Sequence, residues 1–147
     1  MDVTVQTTIA APPQAVAGVM FDAQNDPNWI GGAQRVIVLS GQPPATGALV
    51  RREGSFLTRP ISWVTEVLEF EPDRLVRMKF IEGPMTGEVT YTVEPAPGGS
   101  LVRVRNRGDS NWLMPFMSTM VRRSVTKDLA RLKSFVEARR AVATARD

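Results

Sequence analysis

The sequence predicts an α+β fold, a curved seven-stranded antiparallel sheet wrapped around one long C-terminal helix, with two short helices after the first strand. Three observations predict it. Short segments alternate apolar and polar residues at period two between Val3 and Arg107, the mark of strands with one wet face. Pro12-Pro13 starts a helix directly after the first of them. A long amphipathic stretch, roughly Asn111 to Arg140, closes the chain. A lone helix cannot bury its apolar stripe against solvent, so the sheet has to curve around it. Such wrapping often leaves a hollow, and the hollow is the first place to look for function.

Val3, Val5, Thr7 and Ile9 alternate with Asp2, Thr4, Gln6 and Thr8, which predicts the first strand. Ala11-Pro12-Pro13 ends it. Val16, Val19 and Met20 follow at helical spacing, predicting a helix to about Phe21 or Asp22. Asp26-Pro27-Asn28-Trp29 repeats the pattern, with Asp26 as N-cap of a short turn that projects Trp29 into the body of the protein. Gly31-Gly32 terminates that turn. Further strands are expected from Arg35 to Ser40, Ala48 to Leu57, Ile61 to Phe70, Leu75 to Ile81, Gly87 to Glu94 and Leu101 to Arg107. Turn residues separate them, including Gly41-Gln42-Pro43-Pro44, Thr58-Arg59-Pro60, Pro72-Asp73-Arg74, Gly83-Pro84 and Pro97-Gly98-Gly99.

The closing helix carries Leu113, Met117, Val121, Val125, Leu129, Leu132 and Val136 on its apolar face. Arg122, Thr126, Lys133 and Glu137 occupy the opposite one. Pro115 would bend its start, and Asp109 or Ser110 could cap the segment before it. Asp128, at the flank of the apolar face, is placed to pair with Arg131. One domain is expected over residues 1–140, followed by a frayed tail at 141–147.

Composition narrows the chemistry. The 147 residues suit a single domain, and 43% hydrophobic with 22% charged residues is ordinary for a globular protein. The chain contains neither Cys nor His. Disulfides, thiol nucleophiles, histidine bases and Ser-His-Asp arrangements are thereby excluded, and neither a metal nor a cofactor is expected. No stretch approaches the roughly 18 apolar residues of a membrane span, so no integral membrane segment is expected and the default location is cytoplasmic. Residues 120–147 hold eight Lys/Arg against three acids, a net of +5 in a chain of net +3. A solvated outer helix face is the ordinary meaning, with transient membrane-surface contact as the alternative. Aromatic residues do not interleave with these charges, which argues against nucleic acid as a partner.

The order of elements, together with particular stretches, resembles the START-like superfamily, which includes polyketide cyclases and dehydrases and lipid-transport domains. The stretches are Ile9-Ala10-Ala11-Pro12-Pro13 with Val16 and Asp22, then Asp26-Pro27-Asn28-Trp29, then Glu66 through Leu75, and Leu129-Ala130-Arg131-Leu132-Lys133. The resemblance covers essentially residues 2 to 138 and implies a helix-grip fold with a cavity between sheet and long helix. It implies fold far better than function, because binders, carriers, cyclases and regulators share that scaffold.

If the apolar registers face inward, the cavity is lined by Val50, Phe56, Trp63, Val76, Met78, Phe80, Val89, Tyr91, Val93, Val102 and Val104, with Leu113, Phe116, Met117, Met120 and Val121 from the helix. Met78, Met114, Met117 and Met120 are pliable enough to follow a ligand of irregular shape. Trp29, Trp63 and Trp112 offer flat walls from three separate elements. Arg52, Tyr91 and Asn106 fall on the inward registers, where polar groups orient a ligand, although a bulge near Arg51 to Ser55 would turn Arg52 outward. An inward Arg52 would favour a carboxylate or polyphenol. The candidate binding residues are therefore Trp29, Arg52, Phe56, Trp63, Met78, Phe80, Tyr91, Asn106, Trp112, Phe116, Met117 and Met120, and no residue is assigned a catalytic role.

Glu66 and Glu69 fall on opposite strand faces, so no carboxylate dyad is assembled there. Gly31-Gly32 and Gly98-Gly99 lack a phosphate-loop context and read as turns. Three functions remain: binding or transport of a hydrophobic small molecule such as a lipid, polyketide or isoprenoid; a polyketide aromatase/cyclase or dehydratase acting in the same cavity; and an interaction module using the basic helix. The partner expected first is the hydrophobic ligand itself, bound by a monomer or homodimer.

Overall fold

Every strand expected from the alternation forms, in the order the turns dictate. The computed structural model describes residues 1–108 and 116–146. Along the chain run β1 (Asp2–Ile9), α1 (Pro13–Met20), a 3-10 helix (Ala23–Asn28), β2 (Ala33–Ser40), β3 (Leu49–Phe56), β4 (Arg59–Glu71), β5 (Leu75–Glu82), β6 (Glu88–Ala96), β7 (Gly99–Arg107) and α2 (Met117–Arg146). The strands form one antiparallel sheet of order β1-β7-β6-β5-β4-β3-β2. It is a continuous meander from β2 to β7, with β1 added beside β7. This is the helix-grip architecture.

Turn chemistry sets where strands stop. Leu57 and Thr58 both adopt positive φ, 50° and 67°, and make the two-residue β3–β4 turn closed by the Phe56–Arg59 pair. Paired positive φ values suit the right-handed twist of a hairpin, and they put Arg59 and Pro60 in β4 instead of in the turn. Register shifts between Val64 and Thr65 and between Val67 and Glu69 bend β4 against β5. Bulges of that kind increase local twist, which curls the sheet. The β3–β4 register runs unbroken from Leu49 to Phe56, so Val50 and Arg52 both face inward.

Two helices divide the concave face. α1 and the middle turns of α2 fill one part with Val16, Met20, Leu129, Leu132 and Val136, packed with Val93, Val102 and other inward strand residues. Val50, Val76, Val93 and Val102, expected on a cavity wall, lie in or beside this solid core instead, because α1 and the residues after it cover them. The N-terminal half of α2 covers the other part of the face and does not fill it.

α2 also closes the edge of the sheet. Lys133 Nζ donates to the Thr8 carbonyl at 2.7 Å, and Arg122 Nη1 donates to the Thr4 carbonyl at 3.1 Å. The Ala10 amide donates to Glu137 Oε2 at 2.9 Å. Backbone groups that an edge strand would leave open are thus satisfied by helix side chains. Arg122 and Lys133 are therefore anchors on β1, and Glu137 on the residue that follows it, which corrects their placement on a purely solvated face. α2 begins at Met117 and continues to Arg146, past the Arg140 end expected from the pattern. Asp109, Ser110, Asn111, Leu113, Met114 and Pro115 lie outside the described residues.

Candidate functional site

Between the N-terminal half of α2 and the sheet lies an open cavity of about 500 Å³. Its floor is built by period-two alternation: Phe56 from β3, Ile61 and Trp63 from β4, Met78 and Phe80 from β5, Val89 and Tyr91 from β6, and Val104 and Asn106 from β7. Met117, Met120, Val121, Ser124, Val125 and Asp128, at helical spacing along α2, form the roof. Trp29 and Ile30, after the 3-10 helix, make one end wall, and Pro84, Met85 and Thr86 of the β5–β6 loop contribute another side. Most of this surface is apolar, and the volume lies within the 300–1,000 Å³ typical of small-molecule pockets.

Trp29, Arg52, Phe56, Trp63, Met78, Phe80, Tyr91, Asn106, Met117 and Met120 all line this cavity. Two candidates do not join them. Phe116 is 70% exposed, one position before the Met117–Met120–Val121–Ser124 stripe that faces the cavity, and so falls off that stripe. Trp112 lies outside the described residues.

The polar end of the cavity is organised around Arg52. Its guanidinium donates through Nε to Asp26 Oδ2, through Nη1 to Thr65 Oγ1 at 2.6 Å, and approaches Met78 Sδ at 3.9 Å. Asp26, Arg52 and Thr65 are all buried. Burial pushes the Asp26 carboxyl above the ordinary aspartate value, while the Arg52 charge and hydrogen bond pull it down. Asp26 does not cap the 3-10 helix as its Asp-Pro context suggested. Asp22 does, accepting from the Gln24 amide at 3.0 Å, which frees Asp26 to turn into the protein. Asp26 and Thr65 were not legible as site residues. The only signal for them was that an inward arginine requires a buried partner.

Trp29 and Tyr91 meet edge to face, with ring centroids 5.5 Å apart and planes at 67°. The Trp29 indole nitrogen is buried without a hydrogen-bond partner among the described residues. Burial is also the main cause that raises the Tyr91 phenol well above its usual value, with the nearby Asp26 charge adding to it. Asp128 Oδ1 accepts from the Gly31 amide at 3.0 Å and from Arg131 Nη2 at 2.6 Å, the local pairing anticipated from its spacing. Burial raises the Asp128 carboxyl, and those two donors oppose the rise. Among the described residues no group of three or more acidic side chains is placed to hold a metal.

Fold and cavity together define a helix-grip domain built around a largely apolar cavity. The chain belongs to the family described as polyketide cyclase / dehydrase and lipid transport, whose model matches residues 1–137. No curated protein matches it in sequence. Among solved structures it is similar to the Zhui aromatase/cyclase from Streptomyces sp. R1128, at 17% identity and TM-score 0.74, covering 95% of this chain and 94% of that one. Protein MLL2253 from Mesorhizobium loti is 17% identical with TM-score 0.75, covering 94% and 98%. Ara h 8.0201 is 14% identical with TM-score 0.73, again covering 94% and 98%. At these identities the likeness is one of fold.

Proposed function

We propose that the chain binds and carries a hydrophobic small molecule, of lipid, polyketide or isoprenoid type, in the cavity between sheet and α2. The observation that carries this reading is the hollow itself. A chain that packs Leu129, Leu132 and Val136 solidly against α1 and the sheet leaves about 500 Å³ open beneath Met117, Met120 and Val121 of the same helix. An apolar void of that size contributes nothing to stability and is costly to keep unless something fills it. The family description, which includes lipid transport, supports the same reading. In this reading the protein works in the cytoplasm, as a monomer or homodimer, with no cofactor. Native mass spectrometry of freshly purified protein tests it: a retained adduct of lipid size is expected. Protein that carries no adduct, and whose melting temperature is unmoved by any apolar ligand, would overturn it.

One observation favours a second reading, that of an aromatase/cyclase or dehydratase. Tyr91 shares the closed end of the cavity with the Arg52–Asp26 pair, a phenol and a guanidinium that could polarise a carbonyl. Tyr91→Phe separates the two readings. An enzyme would lose turnover of a polyketide substrate while still binding it, and a carrier has no turnover to lose.

A further inference from the structure

The polar groups facing the cavity differ in what they have left to offer. Arg52 is the only cation at its closed end among the described residues, and its charge is already matched by Asp26. Thr65 and Met78 take up other parts of the same guanidinium. Arg131 sits behind Asp128, bonded to Asp128 Oδ1 and to the Trp29 carbonyl at 3.1 Å. Glu88 and Arg107 line the far end, paired in register at the ends of β6 and β7. Glu88 is held by Arg77 at 3.2 Å, and Arg107 is exposed to water.

What remains unmatched among the described residues is one carboxylate oxygen and neutral donors, the Tyr91 hydroxyl and the Trp29 indole N–H among them. Asp128 lines the cavity, and both of its hydrogen bonds go to Oδ1, leaving Oδ2 without a partner among the described residues. The Tyr91 hydroxyl, also on the cavity wall, makes no hydrogen bond to a described residue. The two are close enough for the Asp128 charge to bear on the phenol. A ligand carboxylate arriving there would meet a neutralised arginine and the like charge of Asp128, with only neutral donors to offset its lost hydration. A ligand hydroxyl would find an ionised acceptor and a phenol able to donate.

Building on the ligand-binding reading, we propose that the cavity selects neutral apolar molecules bearing a hydroxyl or phenol, and discriminates against carboxylates, with Asp128 and Tyr91 as the selecting residues. This reverses the preference for a carboxylate that an unpaired inward Arg52 would have produced. It also separates fatty alcohols, sterol-like molecules and phenolic polyketides from fatty acids as ligand classes.

Three ligands with one tail test it: 4-octylphenol, 4-octylbenzoate and octylbenzene, each displacing the neutral probe N-phenyl-1-naphthylamine at near-neutral pH. The phenol should bind best, and the benzoate about tenfold or more weaker, the scale of one charge-assisted hydrogen bond. Asp128→Asn should narrow that gap by strengthening the benzoate, since Asn keeps an acceptor for the Gly31 amide. Tyr91→Phe, which removes only a hydroxyl, should bring the phenol toward octylbenzene and leave the benzoate unmoved; it carries the test should Asp128→Asn misfold. Benzoate binding equal to or tighter than phenol in the native chain, or a gap that survives both variants, overturns the inference while leaving the ligand-binding reading intact. If neither the probe nor any of the three binds, that reading fails and the inference falls with it.

Discussion

Arg52 on β3 and Asp26 in the 3-10 helix form an ion pair that is nearly sealed from water, 4% and 1% exposed, at the closed end of the cavity. Two charges removed from water are stable there only because each satisfies the other and Thr65 takes a further donor. The pair ties the segment carrying Trp29 to the sheet, so it positions an end wall of the cavity as well as neutralising its cation.

Breaking that pair from one side should be far worse than removing it. Asp26→Leu leaves a buried guanidinium without its counter-ion, and Arg52→Met leaves a buried carboxylate; each should cost about 3–5 kcal/mol in urea unfolding. The double variant should recover most of the loss, because two apolar side chains need no partner. Additive losses in the double variant would show that the two residues do not depend on each other.

Gly54 faces a second constraint at the same end of β3. A Cβ there would lie 1.7 Å from the Gly32 carbonyl oxygen, where the loop before β2 crosses the strand. The atoms it would meet are all backbone, so no flexible side chain can move aside. Gly54→Ala should destabilise by about 1–3 kcal/mol or more by denaturant unfolding. Gly31→Ala meets side-chain atoms alone, the end of Arg131 and, in ordinary contact at 3.5 Å, Asp128 Oδ1, and should cost less.

Asp128 and Glu137, both on α2, should move stability in opposite directions at acid pH. Burial raises the Asp128 carboxyl, so it holds its proton more tightly folded than unfolded. Its contribution is fully present below the unfolded value of 3.8 and is lost as pH rises through the folded value. The Ala10 amide, then Lys133, lower Glu137, so its contribution is present above the unfolded value of 4.5 and is lost as pH falls through the folded value. Measured by denaturant unfolding across the acid range, Asp128→Asn should gain on the native chain as pH rises from 3.8. Glu137→Gln should lose most near neutrality and approach the native chain as pH falls. Parallel curves for the two variants would contradict both assignments.

Which residues face inward was legible in the sequence; how much of that face is filled was not. Period-two alternation places Val50 with Arg52, Met78 with Val76, and Tyr91 with Val89 and Val93, and all of them do point inward. Alternation carries no information about volume, so Val76 under α1 and Phe80 under the open half of α2 look identical in sequence. Asp26 was hidden for a different reason. Asp-Pro is a strong local signal for a helix start, and a partner 26 residues away leaves no trace in local pattern. The anchoring of Lys133 on β1 and of Glu137 on Ala10 just after it was invisible likewise, since charged residues opposite an apolar stripe ordinarily face water.

Val102 and Val104 offer the sharpest test of this division, being two residues apart on one face of β7. Val102 is fully enclosed within the core that α1 and α2 fill, whereas Val104, buried at the margin of that core, also borders the cavity. Val102→Phe must force its ring into packed side chains and should destabilise by about 1–3 kcal/mol. Val104→Phe has open space ahead of it, so its melting temperature should equal or exceed that of the native chain. The same ring occupies volume a ligand needs, so displacement of N-phenyl-1-naphthylamine should be lost or strongly weakened in Val104→Phe. Equal destabilisation by the two substitutions would mean that the space beside Val104 is already filled, and the cavity on which ligand binding depends would not exist.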